Sequence, residues 1–293
     1  MGTLRLGLMC GIRDGRDLLA GLDAADAAGV GRIQVTVDGP VAPGDWADIL
    51  GQCRTRNIAV AAIGCYAHLA RPADRTANGI VVEDVVATLR AVRAAGAEHP
   101  RVVVWSGTFG SHLLAGDRRN WTLETWDALV ETAAALARQA HALGARVLLE
   151  PYHRHCLETP RDYLLLLRAA LDAAGLPAAD PAAAPLGVVL DPPNLLTAAQ
   201  LDDLDGNLGA VIDALAPWAG LVHLKDIAAP RGPGEVPALP APGDGRIDYP
   251  AYVQRLADGV SGEVAAIAEH FDALDPGTLA REAAFLAAAG VGR

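Results

Sequence analysis

The sequence predicts an α/β fold of the (β/α)8 type. Short β-branched or apolar runs alternate with longer Ala- and Leu-rich helical stretches, eight of each in strict order. Such alternation implies parallel strands joined by right-handed crossovers. The chain has 293 residues, which suits a closed barrel of about 250 residues with a few long loops. The competing architecture is a doubly wound open sheet, which carries a phosphate loop after its first strand. No GxGxxG stands there. Residues 1–293 are therefore expected to form a single TIM-barrel domain.

The strands are expected at residues 4–9, 32–37, 59–65, 102–105, 146–150, 187–191, 221–225 and 264–269. Helical patterns follow at 14–29, 43–56, 76–96, 121–143, 160–175, 199–217, 248–258 and 276–290. Their punctuation is consistent. Gly29, Gly96, Gly144 and Gly175 each follow a helical stretch, where a left-handed residue closes the last turn. Thr159-Pro160-Arg161-Asp162 reads as an N-cap with Pro in the first turn. Two segments are irregular: a Pro/Ala linker at 177–186 and a long loop at 229–245. The second follows the seventh strand, where a barrel places substrate lids. A plain surface loop is the alternative. Trp121 and Trp126 fall in the fourth helical stretch and are expected to pack.

Composition narrows the class. Hydrophobic residues make up 52% and the formal net charge is −11. The first supports a large core, and the second argues against nucleic acid or an anionic membrane surface as a partner. Four scattered cysteines without a CxxC pair suit a reducing compartment better than a disulfide framework. No apolar run approaches the ~18 residues of a membrane span. The first apolar run is broken by Arg5, which makes a poor signal peptide. A cytoplasmic protein is expected. Ala-rich outer helices at 121–143 and 276–290 offer faces for a homo-oligomer.

Barrel chemistry sits at the C-terminal ends of the strands. The last four strands end in VLLEPYHRH, GVVLDPPN, LVHLKD and VAAIAEHF. Side chains alternate along a strand, so Glu150 shares a face with Leu148, Asp191 with Val189 and Glu269 with Ile267. His223 and Lys225 share a face with each other. Three carboxylates and an imidazole converging on one mouth make a hard O/N site for Mn²⁺, Mg²⁺, Co²⁺ or Zn²⁺. Each acid alone also suits a helix cap. Lys225 is the sole lysine among 24 basic residues. A compact, tunable ammonium at that position could bind a substrate hydroxyl or stabilise developing negative charge.

LEPYHRH, VVLDPPNLL, VHLKD, APGDGRIDYPAYVQRL and AIAEHF, in this order, resemble the xylose-isomerase-like barrel superfamily, as does YAHLARPADR after the third strand. That group includes sugar epimerases, sugar and inosose isomerases, dehydratases and apurinic-site endonucleases. The resemblance implies one divalent metal ion, manganese among the candidates, on Glu150, Asp191, His223 and Glu269. Glu150 and Glu269 would also be the acid/base pair, with Lys225 a third catalytic group. The implied reaction is isomerisation or epimerisation of a sugar, keto-sugar or polyol derivative by proton transfer through a metal-stabilised enediolate. One departure stands out. Many epimerases of this type carry a histidine three residues after the metal-binding aspartate, and here that residue is Asn194, which can hydrogen-bond a hydroxyl but cannot shuttle a proton.

Tyr66, His68, Trp105, Thr108, His153 and Arg154 join Asn194 as candidate substrate-binding residues. Aromatic faces suit sugar C–H surfaces, and the polar groups offer hydrogen bonds. At least one of His153 and His155 is expected on a surface loop. Three alternatives remain open. A lyase or dehydratase would use the same metal site. A metal-dependent apurinic-site endonuclease would need more strand-end ligands and a basic surface. A non-catalytic accessory subunit would have little use for all four ligand-type residues.

Overall fold

Side-chain alternation sorts the strands into two apolar layers. In β1 (Thr3–Ile12) and β2 (Arg32–Val37), Leu4, Leu6, Leu8, Ile33, Val35 and Val37 belong to the large core shared with the helices. A second, smaller cluster includes Val103, Leu148, Val189, Leu221 and Ile267, one from each of five strands. It fills the inside of the barrel. Both faces of the later strands are thus buried, which is why they read as nearly continuous apolar runs.

The computed structural model describes residues 2–12, 16–74, 79–112, 115–232 and 235–292. The strands close into an eight-stranded barrel in chain order. The remaining strands are β3 (Ala59–His68), β4 (Arg101–Trp105), β5 (Arg146–Glu150), β6 (Leu186–Leu190), β7 (Ala219–Leu224) and β8 (Glu263–Ala268). Closure comes from parallel pairing of β1 with β8, from Thr3 opposite Glu263 to Leu8 opposite Ala268. The outer helices are α1 (Arg16–Ala27), α2 (Pro43–Thr55), α3 (Val82–Ala94), α4 (Leu123–Ala142), α5 (Pro160–Ala174), α6 (Leu204–Leu215), α7 (Tyr249–Gly259) and α8 (Pro276–Ala288). No helix among the described residues is long and apolar enough to cross a membrane.

Local chemistry sets the boundaries. At α5 the Thr159 hydroxyl accepts from the Asp162 amide, and the Asp162 carboxylate accepts from the Thr159 amide at 2.9 Å. Gly175, at φ 69°, closes the same helix in the left-handed region.

Several expected boundaries move. β3 runs on to His68, so Tyr66 and His68 stand on the strand rather than in the loop after it. The third helix begins at Val82, and residues 76–78 of its expected span lie outside the described residues. The stretch 199–217 breaks into a 3-10 turn, α6 and a second 3-10 turn. The break comes where Asp203 accepts from the Gly206 amide and starts a new helix. Trp126 packs against the core as expected, whereas Trp121, in a 3-10 turn before α4, is 52% exposed.

Candidate active site

Glu150 ends β5, Asp191 follows β6, His223 lies in β7 with Lys225 just beyond it, and Glu269 follows β8. Alternation stands Glu150, Asp191, His223 and Glu269 one step above Leu148, Val189, Leu221 and Ile267 of the inner core, with Lys225 one step above His223; all five side chains are buried. His223 Nδ1 lies 3.1 Å from Glu269 Oε1, 3.6 Å from Asp191 Oδ2 and 3.7 Å from Glu150 Oε2. Lys225 Nζ bridges Asp191 Oδ2 at 2.8 Å and Glu269 Oε2 at 2.5 Å. The Asn194 amide donates to Asp191 Oδ2 at 2.7 Å. The side chain three residues after this aspartate therefore orients the carboxylate.

Burial dominates the electrostatics. It pushes the Glu150 carboxyl up to about 7, against the opposing pull of His223. Burial also works against charge on Lys225 and His223. The carboxylates more than offset it, and both groups are held above their usual range. Asp191 moves the other way: the Lys225 ammonium and His223 outweigh its burial and lower it.

The donor set fits a divalent cation. Glu150, Asp191 and His223 each offer a ligand atom, and these atoms lie within 4.8 Å of one another. Glu150 Oε2, Asp191 Oδ1 and His223 Nδ1 are buried without a hydrogen-bond partner, which is costly unless something else satisfies them. With the three carboxylates ionised and the imidazole neutral, the state in which all four would ligate, the one ammonium leaves two negative charges, the amount a divalent ion cancels. Glu269, expected as a fourth ligand, stands beside this group, with Oε1 3.1 Å from His223 Nδ1 and Oε2 on Lys225.

Above the cluster opens a cavity of about 360 Å³. Glu150, Glu269, Lys225 and Asn194 form its polar side, and Trp105 reaches it as expected. Five other candidates do not line it. Tyr66 is buried below, at φ 55°, with its ring centroid 4.6 Å from that of Trp105. His68 sits behind Trp105 at 5.9 Å, and burial lowers it to about 4. Thr108 turns into its own loop, where its hydroxyl donates to the Ala115 carbonyl at 2.7 Å. His153 stacks on Tyr152, with Nδ1 3.1 Å from the Asn194 carbonyl. Arg154 is half-buried beside the site, and its carbonyl accepts from the Asn120 amide. It does not line the cavity either.

Other residues enter the site that the candidate set lacks. His155 is fully buried, lines the cavity and packs its ring 5.6 Å from Trp105 and 5.2 Å from Tyr152. Val236, Pro237 and Leu239 form an apolar wall from the loop after β7. That loop is built around Asp226, whose carboxylate accepts from the amides of Ile227, Gly243, Arg246 and Ile247. Beneath the cluster, Gln34 is buried between His223 and Tyr66. Its one sequence signal is a polar side chain at an inward position of RIQVTV.

The family described as "Xylose isomerase-like TIM barrel" matches residues 21–289. The chain belongs to this family. No curated protein matches the sequence. Among solved structures, this xylose isomerase-like barrel is similar to 3-keto-D-glucoside 4-epimerase from E. coli, with 16% identity over 98% of this chain and 100% of that one, TM-score 0.67. It is also similar to a probable 3-DHS dehydratase from Bacillus anthracis, with 14% identity over 97% and 98% of the chains, TM-score 0.63. A third is the IOLI protein with a bound zinc atom, with 13% identity over 97% and 96%, TM-score 0.62. These identities establish a shared fold.

Proposed function

We propose that this xylose isomerase-like barrel is a divalent-metal-dependent isomerase or epimerase of a sugar, keto-sugar or polyol derivative. The observation that carries the reading is the buried acid–imidazole–ammonium cluster at the base of a cavity, with three ligand-type atoms left unsatisfied. Glu150, Asp191 and His223 would hold the ion, with Glu269 Oε1 beside them. When bound, a divalent ion polarises adjacent carbonyl and hydroxyl oxygens and so acidifies the C–H between them.

The chain's own groups supply the proton transfers. Glu150 lines the cavity, where its carboxylate can take up or return the proton of that C–H. Glu269 faces the cavity from β8, three strands on from Glu150, and serves the other end of the transfer. Lys225 keeps its ammonium against Glu269 and Asp191, where it pairs with both carboxylates and offers a donor to a substrate oxygen. Trp105 gives an aromatic face to substrate C–H bonds. The wall of Val236, Pro237 and Leu239 excludes water from one side.

Support also comes from a sugar epimerase among the similar structures. The dehydratase among them keeps a second reading in view, since loss of a β-leaving group begins with the same proton removal. Keto-sugars and polyols incubated in D₂O with the metal-loaded protein decide between these readings. The proposal expects deuterium at the carbon beside the carbonyl, together with an isomer of unchanged mass apart from the label. A product lighter by one water would assign a dehydratase instead. Glu269→Gln is expected to lower the exchange rate at least 100-fold, in the range of lost general acid–base catalysis. Full exchange by that variant would remove Glu269 from the mechanism.

A further inference from the structure

We infer that Gln34 and Tyr66 form a relay beneath the cluster that fixes the His223 imidazole with its proton on Nε2 and its Nδ1 lone pair aimed at the acids. The inference rests on the proposed metal site and names two positioning residues for it.

The direction of each hydrogen bond follows from chemistry. Tyr66 is buried, and its hydroxyl oxygen accepts from the Gln34 side-chain nitrogen at 2.7 Å. This orients the amide. Gln34 Oε1 faces His223 Nε2 at 2.9 Å and accepts from it. Nε2 thus carries a proton, and Nδ1 is turned to Glu269, Asp191 and Glu150. A histidine that binds metal through one nitrogen generally donates from the other, and that partner sets both tautomer and ring orientation.

The fold makes room for this relay at some cost. Tyr66 adopts φ 55°, in the left-handed region that a bulky residue rarely enters. The β3–β4 register shifts between Gly64 and His68, around this residue. Gly64 is required for the approach: a Cβ there would stand 2.7 Å from the Tyr66 ring and 3.2 Å from the Gln34 amide nitrogen. Strain of this kind at a buried polar chain marks a position held for its chemistry rather than its packing. His223 on β7 is thereby tied through Gln34 on β2 to Tyr66 on β3.

The test uses the full chain labelled with ¹⁵N-histidine. In the metal-free protein the proposal expects a hydrogen-bonded proton on His223 Nε2, and a bare Nε2 would overturn it. Gln34→Met, close in volume and without hydrogen-bonding groups, should abolish that signature and weaken zinc binding 10–100-fold. Gln34→Glu retains an acceptor for Nε2 and should restore much of the affinity. Tyr66→Phe leaves the Gln34–His223 bond in place and should affect zinc less than Gln34→Met does. An unchanged Nε2 signal in Gln34→Met, or equal zinc affinity in all three variants, would refute the relay. Failure of the unsubstituted protein to bind zinc would count against the proposed function instead, while the Nε2 proton would still decide the relay.

Discussion

Lys225 shows how tightly the individual charges depend on one another. Its ammonium is buried against Asp191 and Glu269. Removing one partner of a buried charged pair typically costs about 3–5 kcal/mol, because the other charge is left unpaired. Lys225→Met should therefore destabilise the metal-free protein by about that amount in urea unfolding, and a divalent ion should recover part of the loss. The lone lysine of an arginine-rich chain was visible in the sequence, as was its shared face with His223. Its pairing with Glu269 was not, because two strand ends must be brought together before the contact exists. Titration makes a second expectation at this scale. Burial raises the folded carboxyl of Glu150 to about 7, and the surrounding acids raise His223. Both bind protons more tightly in the folded chain than in the unfolded one. Stability of the metal-free protein should accordingly fall as pH rises from about 5 to 8. A divalent ion displaces those protons, so its stabilising effect on the melting temperature should be larger at pH 8 than at pH 6. Equal shifts at both would place the ion elsewhere.

Among the elements, the ends of the strands were the most legible part of the molecule. Periodicity assigns faces locally, and a barrel puts its chemistry at one end of every strand, so Glu150, Asp191, His223 and Glu269 could be set together from sequence. The loops were less legible, because their shapes depend on distant partners. Thr108 resembles a ligand-binding residue in sequence, yet its hydroxyl closes its own loop on Ala115. The segment after β7 reads in sequence only as a long loop, a lid or plain surface, yet Asp226 gathers amides from Gly243, Arg246 and Ile247, with Ala228 paired to Ala238 nearby. Gly245 has to lack a Cβ, which would fall 2.3 Å from the Asp226 carboxylate. Asp226→Ala should release this loop, with faster proteolysis within 229–245 and a higher KM, while the barrel stays folded. Resistance equal to the parent would show that the loop is held by other contacts. At α5 the smaller device behaves more simply: Thr159→Ala removes the cap hydroxyl that serves the Asp162 amide and should cost about 1 kcal/mol in thermal or urea unfolding.

For the whole molecule, the order of strands and the closed barrel follow from eight alternating units and their right-handed connections. What no local pattern reveals is depth. Gln34 lies in a strand with two buried neighbours, and only the assembled barrel shows that it faces inward beneath His223. The same holds for His155, which reaches the cavity only because the loop after β5 folds under Trp105 and Tyr152. The account as a whole depends on one feature, a buried cluster of three acids and an imidazole that a single ammonium only partly satisfies. The most direct test is the metal content of freshly purified, untagged protein, measured by elemental mass spectrometry before and after chelation and repletion with divalent ions. One tightly held divalent ion per chain, lost in Asp191→Asn, is the predicted result. No bound ion even after repletion would contradict the account.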